Sequence, residues 1–302
     1  LVAGADTGLI DTATGNSIYL FLEGGQVVGR EGASAAAATG TGPIVFTVSV
    51  NTGTGQVTLH QDRAVAHDID GSTPEAHDDT KGLSSADLIT LSAKITDFDG
   101  DSVNGVSNIG AALVFHDDGP SISLADASIP TLETDDTGTP SSVQGGDFAA
   151  LFTHDFGADG AKDTDHNGAD ADAITYALSV AAGPSGLTDT LSNEAVLVTL
   201  DGTSVVAYTA VGNLEVFRID VNSDTGHITL TQERSVVHND SSDPAETGTS
   251  AAGLAGTDIV TLTATITDGD GDTDSATRDI TGAFRFADDG PSFNFGTLGS
   301  AA

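Results

Sequence analysis

The chain has no cysteine, methionine or tryptophan among its 302 residues, and only three tyrosines. Without cysteine there is no disulfide framework, no thiolate metal site and no cysteine nucleophile. A secreted protein of this size without disulfides needs another staple, and bound calcium can supply one. The missing methionine reads as an excised or processed piece of a longer protein. No run is long and apolar enough to span a membrane and no signal peptide is visible, so any export signal is expected outside these residues. Positive charge is scarce as well: nine Lys and Arg stand against 45 Asp and Glu, a formal net charge of −36. A surface this acidic repels nucleic acid and anionic lipid, so neither nucleic-acid binding nor direct membrane insertion is expected.

What is present is patterned. Hydrophobic residues make up 38% and fall in alternating runs, which argues against a disordered acidic tail. The acid is mostly Asp, set beside Gly and Asn in short turns, and cation-binding loops on a folded frame explain it better.

The chain is internally duplicated. Residues 45–121 realign on 216–292 at a constant shift of 171, with 33 of 77 positions identical. Upstream, 18–24 matches 196–202 at a shift of 178, and the seven-residue difference falls in the Ala/Gly-rich loop 29–43. This predicts an incomplete first repeat over 1–119 and a complete second over 120–290. Residues 291–302 would begin a third repeat or serve as an exchanged strand.

Strand periodicity is clear. Ile89, Leu91, Ala93 and Ile95 alternate with polar residues, and Val260, Leu262, Ala264 and Ile266 repeat the pattern. Residues 46–59 read as a hairpin with a turn at 51–55, repeated over 217–230. Only 33–38 is helix-prone, and glycine flanks it. Many short strands with Gly/Asp turns predict an all-β sandwich.

The acidic motifs recur at fixed places. Asp97-x-Asp99-Gly100-Asp101 and Asp268-x-Asp270-Gly271-Asp272-x-Asp274 each follow a strand end. Calcium takes six to eight hard oxygen ligands, and Asp at alternate positions around a Gly aims several oxygens at one ion. Without an ion, two carboxylates ~5 Å apart repel by roughly 0.8 kcal/mol even in water. The competing reading is a solvated turn. Asp117-Asp118-Gly119-Pro120 and Asp288-Asp289-Gly290-Pro291 stand at the repeat junctions, where paired Asp would share an ion between neighbours or form a polar linker. Glu133, Asp135 and Asp136 would complete the first junction from the following domain.

A third candidate, Asp163-x-Asp165-x-Asn167-Gly168-x-Asp170-x-Asp172, opens like an EF-hand loop but has Ile174, not the bidentate Glu, at position twelve. It reads as a calcium loop on a β scaffold, joined by Asp155 and Asp159. Asp-Thr-Gly, at Asp6, Asp136 and Asp224, is turn chemistry rather than an aspartic-protease nucleus. His67 and His238, each four residues after Arg63 or Arg234, read as loop anchors. No Gly-x-Ser-x-Gly elbow is present, so a hydrolase has no nucleophile. The expectation is a protein that is not an enzyme.

Two resemblances follow from these motifs. Phe217-x-Ile219-Asp220, with Thr225-Gly226-x-Ile228, resembles the strand–turn–strand of cadherin-type, Ig-like domains. Leu-x-Ala-x-Ile-Thr-Asp-x-Asp-Gly-Asp, from Leu91 and Leu262, followed by Phe-x-Asp-Asp-Gly-Pro-Ser, from Phe115 and Phe286, resembles the type I secretion 143-residue repeats of giant repeats-in-toxin adhesins. That resemblance implies tandem β-sandwich repeats rigidified by calcium at loops and junctions. It also implies a bacterial cell-surface or secreted location, and a role in attachment and biofilm matrix. The partners it implies are neighbouring repeats or identical subunits. A self-assembling filament subunit joined by β-strand exchange is the competing expectation, and a calcium-dependent carbohydrate-binding module the next.

Overall fold

The computed structural model describes residues 1–240, 242–243 and 245–290. The expected third-repeat start or exchanged strand at 291–302 lies outside them. The first copy of the repeat forms β1 (Ala5–Ile10), β2 (Ser17–Glu23), β3 (Gln26–Glu31), β4 (Ile44–Val50), β5 (Val57–Gln61), β6 (Thr80–Gly82), β7 (Thr90–Thr96), β8 (Ser102–Asn108) and β9 (Val114–His116). The chain continues through β10 (Ser121–Leu124), β11 (Leu132–Asp135), β12 (Ser142–Asp147), β13 (Phe152–Asp155), β14 (Ile174–Val180), β15 (Gly183–Thr188) and β16 (Ala195–Asp201). It ends through β17 (Ser204–Thr209), β18 (Glu215–Val221), β19 (His227–Gln232), β20 (Ala252–Gly253), β21 (Val260–Thr267), β22 (Thr273–Asp279) and β23 (Phe284–Ala287). The Ala-rich stretch makes one turn of helix, α1 (Ala35–Ala38), capped by Ser34. The protein is all-β and of sandwich type, as the alternation predicts.

Contacts divide the chain into two compact units. Unit 1 holds Leu1–Ile122, His154–Ile174 and Ile266–Asp274. Unit 2 holds Ser123–Thr153, Thr175–Thr265 and the chain from Ser275 onward.

In unit 1, β1 to β5 form one antiparallel sheet in sequence order, and β6–β9 and β7–β8 form short pairs. The β4–β5 turn closes because the Asn51 side-chain oxygen accepts the N–H groups of Gly53 (2.9 Å) and Thr54 (3.2 Å). Gly55 then takes φ +75°, a left-handed position where glycine escapes the Cβ penalty. The core joins the inner faces of β1, β2 and β4 to Ile89, Leu113 and Phe115. Phe46 and Phe115 sit with ring centroids 5.1 Å apart. Burying each such ring contributes roughly 1.5–3 kcal/mol, and their tilted pairing adds ~1 kcal/mol.

Unit 2 repeats the plan. Its largest sheet runs β12-β19-β18-β17-β16-β15, and β11 pairs in parallel with β23. The hairpin turn is repeated by Asn222, which accepts from Asp224 and Thr225 at 3.0 Å each. Phe217 and Phe286 lie 4.9 Å apart, matching the pair in unit 1. Each unit also anchors the chain with a bidentate ion pair. Arg63 holds the buried Asp11 at 2.6 and 2.9 Å, and Arg234 holds the buried Asp189 at 2.7 and 2.9 Å.

One pair of matched strands differs in burial. On β21, Val260, Leu262, Ala264 and Ile266 are fully buried, and β14 pairs beside them to complete a three-stranded sheet. On β7 only β8 pairs, Ile95 is 70% exposed, and Ala93 also faces solvent. The alternation is the same; the covering strand is what differs.

Candidate metal centre

The site is built around the tip between β21 and β22. Asp268 Oδ1 accepts the N–H groups of Gly271 (3.1 Å) and Asp272 (2.8 Å), so the turn is closed on a carboxylate before anything else approaches. Gly269 must be glycine. A Cβ there would stand 2.5 Å from the Asp159 carbonyl oxygen and 2.8 Å from Thr12 Cγ2.

The tip seats in a corner made by the first copy of the repeat, inside unit 1. The His67 N–H donates to Asp270 Oδ2 at 3.0 Å, and the Gly71 N–H to Asp272 Oδ1 at 2.9 Å. Lys162 N–H bonds the Thr267 carbonyl at 3.0 Å, and Thr12 donates its hydroxyl to Asp159 at 2.6 Å. His67 Nδ1 lies 3.3 Å from Asp117 Oδ1 and 3.5 Å from Asp270 Oδ2, while its Nε2 faces the Phe115 carbonyl at 3.4 Å. A ring that gives one N–H to a backbone carbonyl keeps the other nitrogen aimed inward, the usual posture of a ligating histidine.

This corner is dry. The side chains of His67, Asp117 and Asp270 are 3%, 1% and 5% exposed. Asp268, Asp272 and Asp159 are buried too. Both oxygens of Asp117 and one each of Asp268, Asp270 and Asp272 have no hydrogen-bond partner, and neither has His67 Nδ1. An unpaired buried carboxylate costs several kcal/mol, so a cluster of them demands protons or cations.

The titration behaviour says the same. Burial pushes the Asp268 carboxyl up to about 8, with the Asp270 charge adding to the rise. Burial lifts Asp159 to about 7, and lifts Asp272 to about 6 with help from the facing Asp117 carboxyl. Asp270 goes the other way: burial raises it, but hydrogen bonds from the His67 ring and backbone outweigh that and hold it low. His67 is the mirror case, lowered by burial but raised overall by Asp270 and Asp117.

The ligand atoms of His67, Asp117 and Asp270 lie within 4.8 Å of one another. That fits the ~5 Å across a calcium ion whose oxygens stand 2.3–2.6 Å from it. The donor set is mostly carboxylate, which suits a hard divalent cation.

The other predicted site residues are distributed around this centre. Asp97, Asp99 and Asp101 cluster on an exposed tip between β7 and β8. Asp118 is exposed and accepts the Ala158 N–H at 3.1 Å, and Asp274 accepts the Ile122 N–H at 2.9 Å. Asp163, Asp165 and Asp170 cluster in their loop, but Asp163 already accepts from Asn167 and Gly168 at 3.0 Å each, and Asp172 pairs with Lys162. Glu133, Asp135 and Asp136 are placed in unit 2 with partners of their own. Glu133 accepts the Gly248 N–H (2.7 Å), Asp135 the Thr137 N–H (2.8 Å) and Asp136 the Asp289 N–H (2.9 Å). Asp288 stands beside His238, with Oδ1 3.6 Å from Nδ1.

Sequence reasoning set His67 aside as an anchor and attached Asp159 to the 163–172 loop; both belong to the buried centre. The signal for His67 was its recurrence at the shift that also relates Asp117 to Asp288.

A family model described as a domain of unknown function, DUF5801, matches residues 1–110 and 131–281. The chain belongs to the DUF5801 family. No curated protein and no solved structure matches it. In this DUF5801 chain the centre draws His67 from the first matched stretch and Asp159, Asp268, Asp270 and Asp272 from the second, with Asp117 between them.

Proposed function

We propose that this chain is a calcium-dependent structural module, non-catalytic, that serves as an extender in a large secreted bacterial adhesin. The observation that carries the reading is the set of buried, unpartnered carboxylate oxygens where the 268–272 tip of the second repeat meets the first. Asp117 and Asp270 face the His67 imidazole there, and the carboxyls of Asp159, Asp268 and Asp272 are buried in the same corner. Divalent cations would neutralise them and lock the tip in its corner. An ion held there would tie together the three chain segments that build unit 1. Extracellular calcium modules work at 10⁻⁴–10⁻³ M affinity, which matches a switch that engages on export. The resemblance to type I secretion repeats supports the adhesin setting and a role in attachment and biofilm matrix.

The test is thermal unfolding of the whole chain in excess chelator and then in millimolar calcium, magnesium, manganese or zinc. Calcium should raise the midpoint by several degrees, since ligand at ~100 times its Kd stabilises by ~2.7 kcal/mol. A midpoint indifferent to all four ions would overturn the reading. A response to zinc or manganese alone would replace calcium by a metal that prefers the imidazole.

A further inference from the structure

The unpartnered atoms of the buried centre extend past what one ion can gather. His67 Nδ1 stands 3.3 Å from Asp117 Oδ1 and 3.5 Å from Asp270 Oδ2. Those gaps match the ~3.3–3.7 Å between neighbouring ligands of an octahedral calcium with bonds of ~2.3–2.6 Å. The ring keeps its Nε2 on the Phe115 carbonyl, which leaves the Nδ1 lone pair free to ligate. The three residues therefore outline one cation position, their ligand atoms all within 4.8 Å of one another.

Two further acids flank that position. The Asp272 carboxyl meets that of Asp117, and the Asp268 carboxyl meets that of Asp270, oxygen against oxygen within hydrogen-bond reach. Asp268 Oδ2 and Asp272 Oδ2 are buried without partners, and so is the Asp117 oxygen left over from the first position. Asp268 and Asp272 already share a turn, because Asp268 Oδ1 accepts the Asp272 N–H at 2.8 Å.

We propose that the centre takes two divalent cations side by side, one among His67, Asp117 and Asp270 and the other among Asp117, Asp268 and Asp272, with the Asp117 carboxylate bridging them. The proposal rests on the calcium reading of this centre. All five residues belong to unit 1. Both Asp117 oxygens are free of hydrogen bonds in a side chain that is 1% exposed, the condition a bridging carboxylate requires. Charge gives the same count. The four acids that carry unpartnered oxygens, Asp117, Asp268, Asp270 and Asp272, hold four negative charges when ionised. One dication cancels half of that and leaves the rest buried and uncompensated; two cancel it, with His67 neutral as a ligand must be. Asp159 stays outside the count, its carboxylate taken by the Thr12 hydroxyl at 2.6 Å. The positions differ in hardness, one offering an imidazole and the other oxygen alone, so the second suits calcium more strictly than the first.

The experiment counts ions. The full chain is dialysed to equilibrium against calcium at pH 8 and its bound metal measured by mass spectrometry, beside three variants checked for folding by circular dichroism. Asp117→Asn should lose two ions relative to wild type, and His67→Ala and Asp272→Asn one each; counting differences removes any calcium on the exposed acidic loops. Manganese(II) in place of calcium reads the bridge without a variant. Two ions sharing a carboxylate give an exchange-coupled paramagnetic resonance spectrum with halved hyperfine spacing, whereas separate ions give the ordinary isolated signal. A loss of one ion in Asp117→Asn, or an uncoupled spectrum at full manganese loading, overturns the proposal and leaves a single-ion calcium centre standing. If Asp117→Asn binds as much calcium as wild type, both the bridge and the calcium reading of this centre fall, and protons shared across the two carboxyl pairs take the place of the ions.

Discussion

His67 Nδ1 and Asp117 Oδ1 lie 3.3 Å apart with both side chains enclosed, and their counterparts His238 and Asp288 lie 3.6 Å apart with the same carbonyl position behind the ring. One of these pairs has a third carboxylate, Asp270, seated against it.

Asp268→Asn should separate the structural from the electrostatic work of that side chain. The amide oxygen keeps accepting from Gly271 and Asp272, so the turn survives, while the charge is removed from a buried site. In chelator near pH 8 the variant should be more stable than wild type by at least ~1 kcal/mol, the worth of one pKa unit. Its gain on adding calcium should shrink. Denaturant unfolding with and without calcium reads both.

Stability without cations should fall as pH rises from about 4 to about 8. Asp272, Asp159 and Asp268 hold their protons to about 6, 7 and 8 in the folded protein, while the unfolded chain loses them near 3.8. The native state then binds more protons, and the slope of unfolding free energy against pH is negative. His67, raised by Asp270 and Asp117, adds stability that is complete below its ordinary value and lost as pH climbs through the raised one. Calcium should flatten this slope and release protons on binding, which calorimetry in two buffers of different ionisation enthalpy would show. A slope of the opposite sign in chelator would mean that these groups are ionised and already compensated.

Arg234→Gln should cost ~3–5 kcal/mol, because it leaves the fully buried Asp189 charge without its partner. The Arg234 hydrogen bonds hold Asp189 down to about 2, so its contribution is present above 3.8 and lost as pH falls toward 2. The variant should therefore lose the steepest part of the acid-unfolding limb. A urea titration at pH 7 and an acid melt test the two halves of the statement.

Gly269→Ala should destabilise by ~1–3 kcal/mol through overpacking against the Asp159 carbonyl and Thr12, and weaken calcium binding in proportion. Phe98→Gly, at the matching place on the exposed tip, should leave monomer stability within ~0.5 kcal/mol. Paired melts of the two variants are the check.

Much of the fold was legible because strand alternation and an internal repeat are local signals. The 46–59 hairpin, its copy at 217–230 and the matched Phe pairs follow from residues a few positions apart or one fixed shift apart. The centre was legible only in part. Repetition makes the 97–101 and 268–272 tips equivalent, yet one is exposed and the other buried, and that depends on which corner each meets. His67 was misjudged for the same reason. Its ring matters through Asp270, which is 203 positions away.

Unit 1 is discontinuous in the chain, and its third segment, Ile266–Asp274, arrives late. That segment supplies Asp268, Asp270 and Asp272, three of the five acids of the centre. Between its second and third segments the chain makes a long excursion, Thr175–Thr265, that belongs wholly to unit 2. During synthesis from the N-terminus the first repeat therefore waits for nearly the whole of the second before its own acidic corner can close. A protease cut or a cloning boundary near residue 120 would leave a first half that contains the receptacle but not what fills it.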